Sequence, residues 1–124
     1  MVKYLTYVAA FALAIHGLIH FLGIGVYFEL IEMTDLPYKT TLLGGAIDVG
    51  DAGIRVFAVM TAVAGAGFVA SSVALVTGWR YWREVLLAVT VFSLMLTILD
   101  WTVASAGVLA NLAILAGLFL QRRL

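Results

Sequence analysis

Residues 4–28 read YLTYVAAFALAIHGLIHFLGIGVYF, and this apolar segment indicates the fold class. It contains no Asp, Glu, Lys or Arg, and it is longer than the roughly 20 apolar residues that a helix needs to cross a bilayer. The apolar region of a secretory signal is shorter, about 7–15 residues. We therefore expect a retained membrane-spanning helix at the start of the chain.

The composition of the whole chain agrees with a membrane location. The 124 residues are 65% hydrophobic and 11% charged, with a mean hydropathy of +1.14. A soluble domain carries about 25% charged residues, and a domain of this size cannot bury so much apolar surface. Intrinsic disorder is excluded for the same reason, and the few scattered Lys and Arg residues do not form a nucleic-acid-binding patch. The lipid bilayer is thus the expected partner of this chain.

The apolar segments predict four spans within a single domain, residues 1–124. An all-α four-helix transmembrane bundle follows, with spans at about 4–28, 54–77, 85–101 and 103–120. A tight turn near Ser105 and Gly107 joins the last two spans into a helical hairpin.

The distribution of positive charge predicts the orientation. With four spans, both termini lie on the same side of the membrane. That side holds five of the seven basic residues: Lys3, Arg80, Arg83, Arg122 and Arg123. Short loops rich in Lys and Arg stay in the cytoplasm, so we expect both termini to be cytoplasmic in a multi-pass protein of the cell membrane. Aromatic residues at the span ends, Trp79, Tyr81, Trp82 and Trp101, are typical of the membrane interface.

The connection between the first two spans, residues 29–53, is then the outer loop. It holds five of the seven acidic residues: Glu29, Glu32, Asp35, Asp48 and Asp51. The acids and glycines of this loop allow a cation site, but the sequence Asp48-Val-Gly-Asp51-Ala-Gly53 does not match the EF-hand pattern. A solvated acidic loop with turn glycines is the favoured interpretation.

Two histidines, His16 and His20, interrupt the first span. Ionisable groups inside a membrane are costly and therefore point into the bundle, and the i, i+4 spacing places both rings on one helix face. We expect that face to include four further residues: Ala9, Ala12, Gly23 and Tyr27.

The third span carries a polar stripe that ends in Asp100; its other members are Thr90, Ser93 and Thr97. His20 is expected about 6 Å and Asp100 about 10 Å outside the midplane, so a contact between them is predicted. Asn111 lies in the fourth span, which runs back across the membrane, and we expect it to pass near His16. The sequence thus predicts a polar intramembrane cluster of His16, His20, Asp100 and Asn111.

Small residues predict where the helices pack. The second span carries Ala58, Ala62, Ala66 and Ala70 with Gly65 beside them, and the fourth carries Ala106, Ala110, Ala113 and Gly117. Helices approach closely at such faces.

Three classes of function remain open. In the first, the cluster only fixes helix packing, and the protein acts through helix association, as a homo-oligomer or an accessory subunit of another membrane protein. In the second, His16, His20 and Asp100 bind a metal, or a histidine ligates haem, for redox or sensing. Transport is third, because the chain matches dimeric small multidrug exporters in size and topology but lacks a glutamate in its first span. An enzyme is not favoured, since no nucleophile or nucleotide motif is present.

Two motifs resemble those of small four-span prokaryotic membrane proteins without an assigned function. The stretch His16-Gly-Leu-Ile-His20-Phe-Leu-Gly23 looks like their opening helix. The segment from Asp100-Trp101 through Gly107 to Ala110-Asn111 looks like their last hairpin. The resemblance implies a four-span bundle with these polar positions, and it implies no activity.

Overall fold

The computed structural model describes residues 2–123, and they form an all-α four-helix bundle. The helices are α1 (Val2–His20), α2 (Leu22–Tyr27), α3 (Gly50–Thr77), α4 (Trp82–Leu99) and α5 (Trp101–Arg123). Helix α2 continues α1 after a single turn residue, Phe21, so the two form one span. Within residues 2–123, four helical segments are long and apolar enough to cross a membrane: Lys3–Tyr27, Gly50–Thr77, Trp82–Leu99 and Trp101–Gln121. The chain is a multi-pass membrane protein, and both termini lie at the same end of the bundle.

The helices pack in chain order. The segment α1–α2 lies on α3, α3 lies on α4, and α4 lies on α5. At the end away from the termini, the core centres on Val26, Tyr27, Ile54 and Leu96. A second apolar cluster, nearer the termini, is built around Phe68.

Helices α1 and α3 approach each other closely at Gly17 on α1 and Gly65 on α3. A Cβ added to Gly17 would lie 2.6 Å from the carbonyl oxygen of Gly65, so neither position accommodates a side chain without moving the backbone. Apolar spans have little hydrophobic drive to associate within lipid, and close backbone packing of this kind supplies van der Waals contact instead.

The packing faces are narrower than the sequence indicated. On α3, Ala58 is fully buried, but Ala66 and Ala70 are exposed. A spacing of four residues advances about 40° around a helix at each step, so the row of alanines turns away from the core. On α1, Ala9 and Ala12 are exposed as well. The buried face of α1 is centred one residue further along the chain than the predicted face.

The outer loop contains structure that the sequence did not predict. Strands β1 (Thr41–Leu42) and β2 (Ile47–Asp48) pair antiparallel around a short 3-10 helix, Leu43–Gly45. Leu42 is buried against the bundle core, and Asp48 accepts a hydrogen bond of 3.0 Å from the backbone N–H of Gly50 where α3 begins. This part of the loop is a folded cap on the bundle.

The turn between the last two spans is tighter than expected. Only Asp100 separates α4 from α5, and the irregular backbone of Ala104 completes the reversal. The expected turn near Ser105 and Gly107 therefore lies a few residues too late: Asp100 already accepts backbone hydrogen bonds from the N–H groups of Val103 and Ala104.

Candidate functional site

Asn111 is the centre of a buried polar network that joins three helices. It is fully buried on α5. Its side-chain N–H groups donate to Ser93 Oγ at 2.9 Å and to Thr97 Oγ1 at 3.2 Å, both on α4. Its Oδ1 accepts a hydrogen bond of 3.1 Å from His16 Nε2 on α1. One amide thus uses both of its donor hydrogens and one acceptor inside an apolar environment.

His20 closes this network into a ring of hydrogen bonds. Its Nδ1 donates to the backbone carbonyl of His16 at 2.8 Å, which fixes the tautomer of the neutral imidazole. Its Nε2 then accepts from the hydroxyl of Ser93 at 2.7 Å, and Ser93 in turn accepts from Asn111. Each donor in the ring faces an acceptor, so the polar groups stabilise one another within the membrane span.

Helix α3 supplies the apolar wall of the network. The ring of Phe68 is fully buried, and its centroid lies 4.6 Å from that of His16 and 5.4 Å from that of His20. The two imidazoles meet nearly perpendicular, with centroids 4.8 Å apart. Aromatic contacts therefore pack both imidazoles against α3, while their hydrogen bonds are made to α1, α4 and α5.

Asp100 belongs to a separate site, the outer site, at the end of the bundle that the outer loop (residues 29–53) covers. Its Oδ2 accepts a hydrogen bond of 2.6 Å from the buried hydroxyl of Tyr27, and its Oδ1 forms a salt bridge with Lys39 of the outer loop. The Asp100 side chain is 7% exposed and that of Lys39 is 21% exposed. Lys39 also donates to the carbonyl of Thr41 at 3.0 Å. The loop thus places the ammonium group of Lys39 beside the almost buried carboxylate of Asp100.

The predicted cluster therefore divides into two sites. The structure brings His16, His20 and Asn111 together, but the predicted contact between His20 and Asp100 is wrong. His20 contacts α4 at Ser93, and Asp100 lies seven residues, or about 10 Å, further along that helix. The predicted depths of His20 and Asp100 differ by only about 4 Å, whereas in the structure His20 lies at the level of Ser93, about 10 Å from Asp100 along the helix axis.

The same geometry bears on metal binding by His16, His20 and Asp100. Within residues 2–123, no three His, Cys, Asp or Glu side chains are grouped so that they could hold a metal ion. Both ring nitrogens of His20 already take part in hydrogen bonds, and so does Nε2 of His16. The predicted set of three ligands is not assembled.

Two residues of the outer site escaped the sequence analysis. Lys39 falls in the loop that the sequence predicts to be solvated, and Tyr27 is predicted only as a member of a helix face. The available signal was that Lys39 is the one lysine in a strongly acidic loop, while Asp100 is the one acid among the spans that lacks a basic neighbour in sequence. Their pairing depends on the folded loop, which the sequence did not predict.

The outer loop also holds a pocket of about 330 Å³ with Glu29, Glu32 and Tyr38 in its lining. The hydroxyl of Tyr38 donates to the carboxylate of Asp51 at the start of α3. This hydrogen bond raises the pKa of Tyr38 to about 12. The contact fastens the middle of the loop to α3.

Helix α5 presents small residues away from the bundle. Ala106, Ala113 and Gly117 are exposed, and a Cβ added to Gly117 would meet no atom within 4 Å. At about 100° per residue, Ala113 lies about 160° around the helix from Asn111. These three residues, the outer seam of α5, therefore point away from the polar network.

Comparisons with known proteins do not identify a relative. No family model, no curated protein and no solved structure matches the chain.

Proposed function

We propose that this protein acts by lateral association in the membrane, with the outer seam of α5 as the contact between two copies. The observation that carries the proposal is the exposure of Ala106, Ala113 and Gly117 on one face of a spanning helix. Elsewhere in the bundle, at Gly17 and Gly65, small residues occur where two helices touch. The outer seam has the same chemistry, but its three residues are exposed within the part of the chain that the structure describes.

The spacing of the seam supports helix packing. Ala106 and Ala113 are seven residues apart, and Gly117 follows four residues later, so the three lie along one side of α5. Small residues at such intervals let two backbones approach and gain van der Waals contact that lipid chains do not provide. Leu109 and Leu120, which are 69% and 62% exposed, flank the seam and supply apolar contact area.

The polar network supports a structural role for the bundle interior. Asn111, His20 and Ser93 satisfy one another by hydrogen bonds, and these bonds fix α5 against α1 and α4. A helix held rigidly on one side offers a preorganised surface on the other, which lowers the entropic cost of association. The interior network and the outer seam thus belong to a single mechanism.

Cysteine cross-linking in native membranes tests the proposal, because the chain contains no cysteine of its own. Ala113→Cys and Gly117→Cys are expected to form disulfide-linked dimers under mild oxidation. Ala66→Cys is the matched control, since Ala66 is also a small exposed residue, on α3. Dimers at Ala113 and Gly117 but not at Ala66 support a homo-oligomer formed through α5.

Other results would point elsewhere. If the α5 cysteines link reproducibly to one different membrane protein, the chain is an accessory subunit and the seam binds that partner. If all three cysteines cross-link equally, the dimers reflect random collision, and association through α5 is wrong.

A further inference from the structure

A groove opens between α4 and α5 at the end of the bundle that holds both termini. Its volume is about 470 Å³, within the range of small-molecule sites. Two charged residues, Arg83 and Glu84, line it together with apolar side chains: Leu87, Leu115, Leu118 and Phe119. The groove therefore combines one positive and one negative charge with an apolar wall.

Arg83 is fixed in this groove with an unused donor. Its Nη2 donates to the backbone carbonyl of Leu118 at 3.0 Å, which holds the guanidinium across the gap between the helices. Its Nη1 is buried, and within residues 2–123 it has no hydrogen-bond partner. A buried donor on a charged group is costly when unpaired. The guanidinium thus lacks an anionic acceptor, and phosphate oxygens suit its planar donor geometry.

Glu84 supplies the complementary charge. It lies in the same groove, and in the part of the chain that the structure describes it forms no salt bridge with Arg83. Leu87 and Phe119, which are 49% and 58% exposed, extend the groove along the outside of the bundle. An occupant that satisfies all these features has an anionic group, an adjacent cation and an apolar tail.

We propose that the groove binds a phospholipid whose headgroup carries a primary ammonium, with its phosphate on Arg83 and its ammonium on Glu84. The acyl chains lie along Leu87, Leu115 and Phe119. Arg83 and Glu84 lie in the first turn of α4, where the helix dipole favours the phosphate. This site is independent of the outer seam, because Leu115 lies about 160° around α5 from Gly117.

Native mass spectrometry of the full-length protein with defined lipids tests this proposal. We expect phosphatidylethanolamine to be retained at least several-fold more than phosphatidylglycerol or phosphatidylcholine. Glu84→Gln removes the partner of the ammonium, so the preference for phosphatidylethanolamine over phosphatidylglycerol is expected to vanish. Because Glu84 is exposed, we expect this variant to keep its fold.

Arg83→Gln is expected to lower retention of phosphatidylethanolamine by about tenfold, since it removes a charge-assisted hydrogen bond. Arg83→Lys keeps the charge and is expected to retain more lipid than Arg83→Gln. Arg80→Gln is the matched control, because Arg80 is exposed and lies outside the groove lining.

Three results would overturn the proposal. The first is equal retention of the three lipids by the unaltered protein. The second is an equal loss in the Arg80 and Arg83 variants, which would indicate general attraction of lipid to a basic surface. The third is displacement of the lipid by millimolar inorganic phosphate, which would show that a free anion is the occupant.

Discussion

Asn111 on α5 and His16 on α1 share a hydrogen bond of 3.1 Å although 95 residues separate them in sequence. Each of these helices packs extensively on a different neighbour, α1 on α3 and α5 on α4. The bond between Asn111 and His16 therefore links the first and last spans directly. Within the membrane few water molecules are available to replace it, so the bond constrains how the bundle closes.

Asn111→Ala should weaken the bundle measurably. It removes three hydrogen bonds and leaves Ser93, Thr97 and His16 without their shared partner. We expect the free energy of unfolding to fall by about 1–3 kcal/mol, since single polar contacts between spans contribute about 0.6 kcal/mol on average. Reversible unfolding in mixed micelles measures the change. Leu112→Ala, at an exposed neighbouring position, is the control and should cost less.

Double-mutant cycles should separate the two polar sites. His16→Ala and Asn111→Ala are expected to be non-additive, because each removes the same hydrogen bond. His20→Ala and Asp100→Ala are expected to be additive, because their hydrogen-bond partners differ. The free energy of unfolding of each single and double variant gives both coupling energies. A large coupling between His20 and Asp100 would contradict the separation into two sites.

The helical architecture was accessible from the sequence because it depends on local composition. Long apolar runs specify spanning helices wherever they occur, and the i, i+4 spacing of His16 and His20 needs only helical geometry to place both on one face. The polar stripe of α4 could also be predicted from the sequence. Ser93 and Thr97 are spaced by one helical turn, and both are buried on the same face of α4.

The side chains that those residues contact could not be predicted from periodicity, because the contacts depend on how the loop folds and how the helices cross. Lys39 reaches Asp100 only because the outer loop folds back over the bundle end, and β1 and β2 are too short to leave a signal in sequence. Similarly, the true contact of α1 and α3 at Gly17 and Gly65 follows from the helix crossing. A row of alanines at intervals of four does not encode that crossing.

Lys39→Met should destabilise the protein more than its position in a loop suggests. The substitution leaves Asp100 as an almost buried carboxylate without its cation, and breaking such a pair costs about 3–5 kcal/mol when it is fully buried. Because Lys39 is partly exposed, we expect a loss nearer the lower end. Thermal unfolding in detergent measures it. The double variant Lys39→Met/Asp100→Asn should recover much of the loss, and no recovery would show that Lys39 acts through other contacts.

Gly17→Ile should lower the stability of the fold, whereas Gly117→Ile should lower only the association between copies. At Gly17 the new side chain collides with the backbone of Gly65, so we expect a loss of at least about 1–3 kcal/mol in the free energy of unfolding. At Gly117 the space is open, so the fold should be unaffected while association through the outer seam is reduced. Unfolding and cross-linking at Ala113 provide the two measurements. Equal destabilisation at both positions would contradict the assigned packing faces.

Tyr38 should make the attachment of the outer loop sensitive to alkaline pH. Its folded-state pKa of about 12 exceeds the ordinary value of about 10, because its hydroxyl donates to Asp51. The folded state therefore holds this proton more tightly than the unfolded state. The contribution to stability is complete below pH 10 and is lost as the pH rises to about 12. The difference in tyrosinate absorbance between the unaltered protein and Tyr38→Phe reports the titration. In Asp51→Asn the pKa of Tyr38 should return toward 10, and an unchanged titration in that variant would show that Asp51 is not the cause.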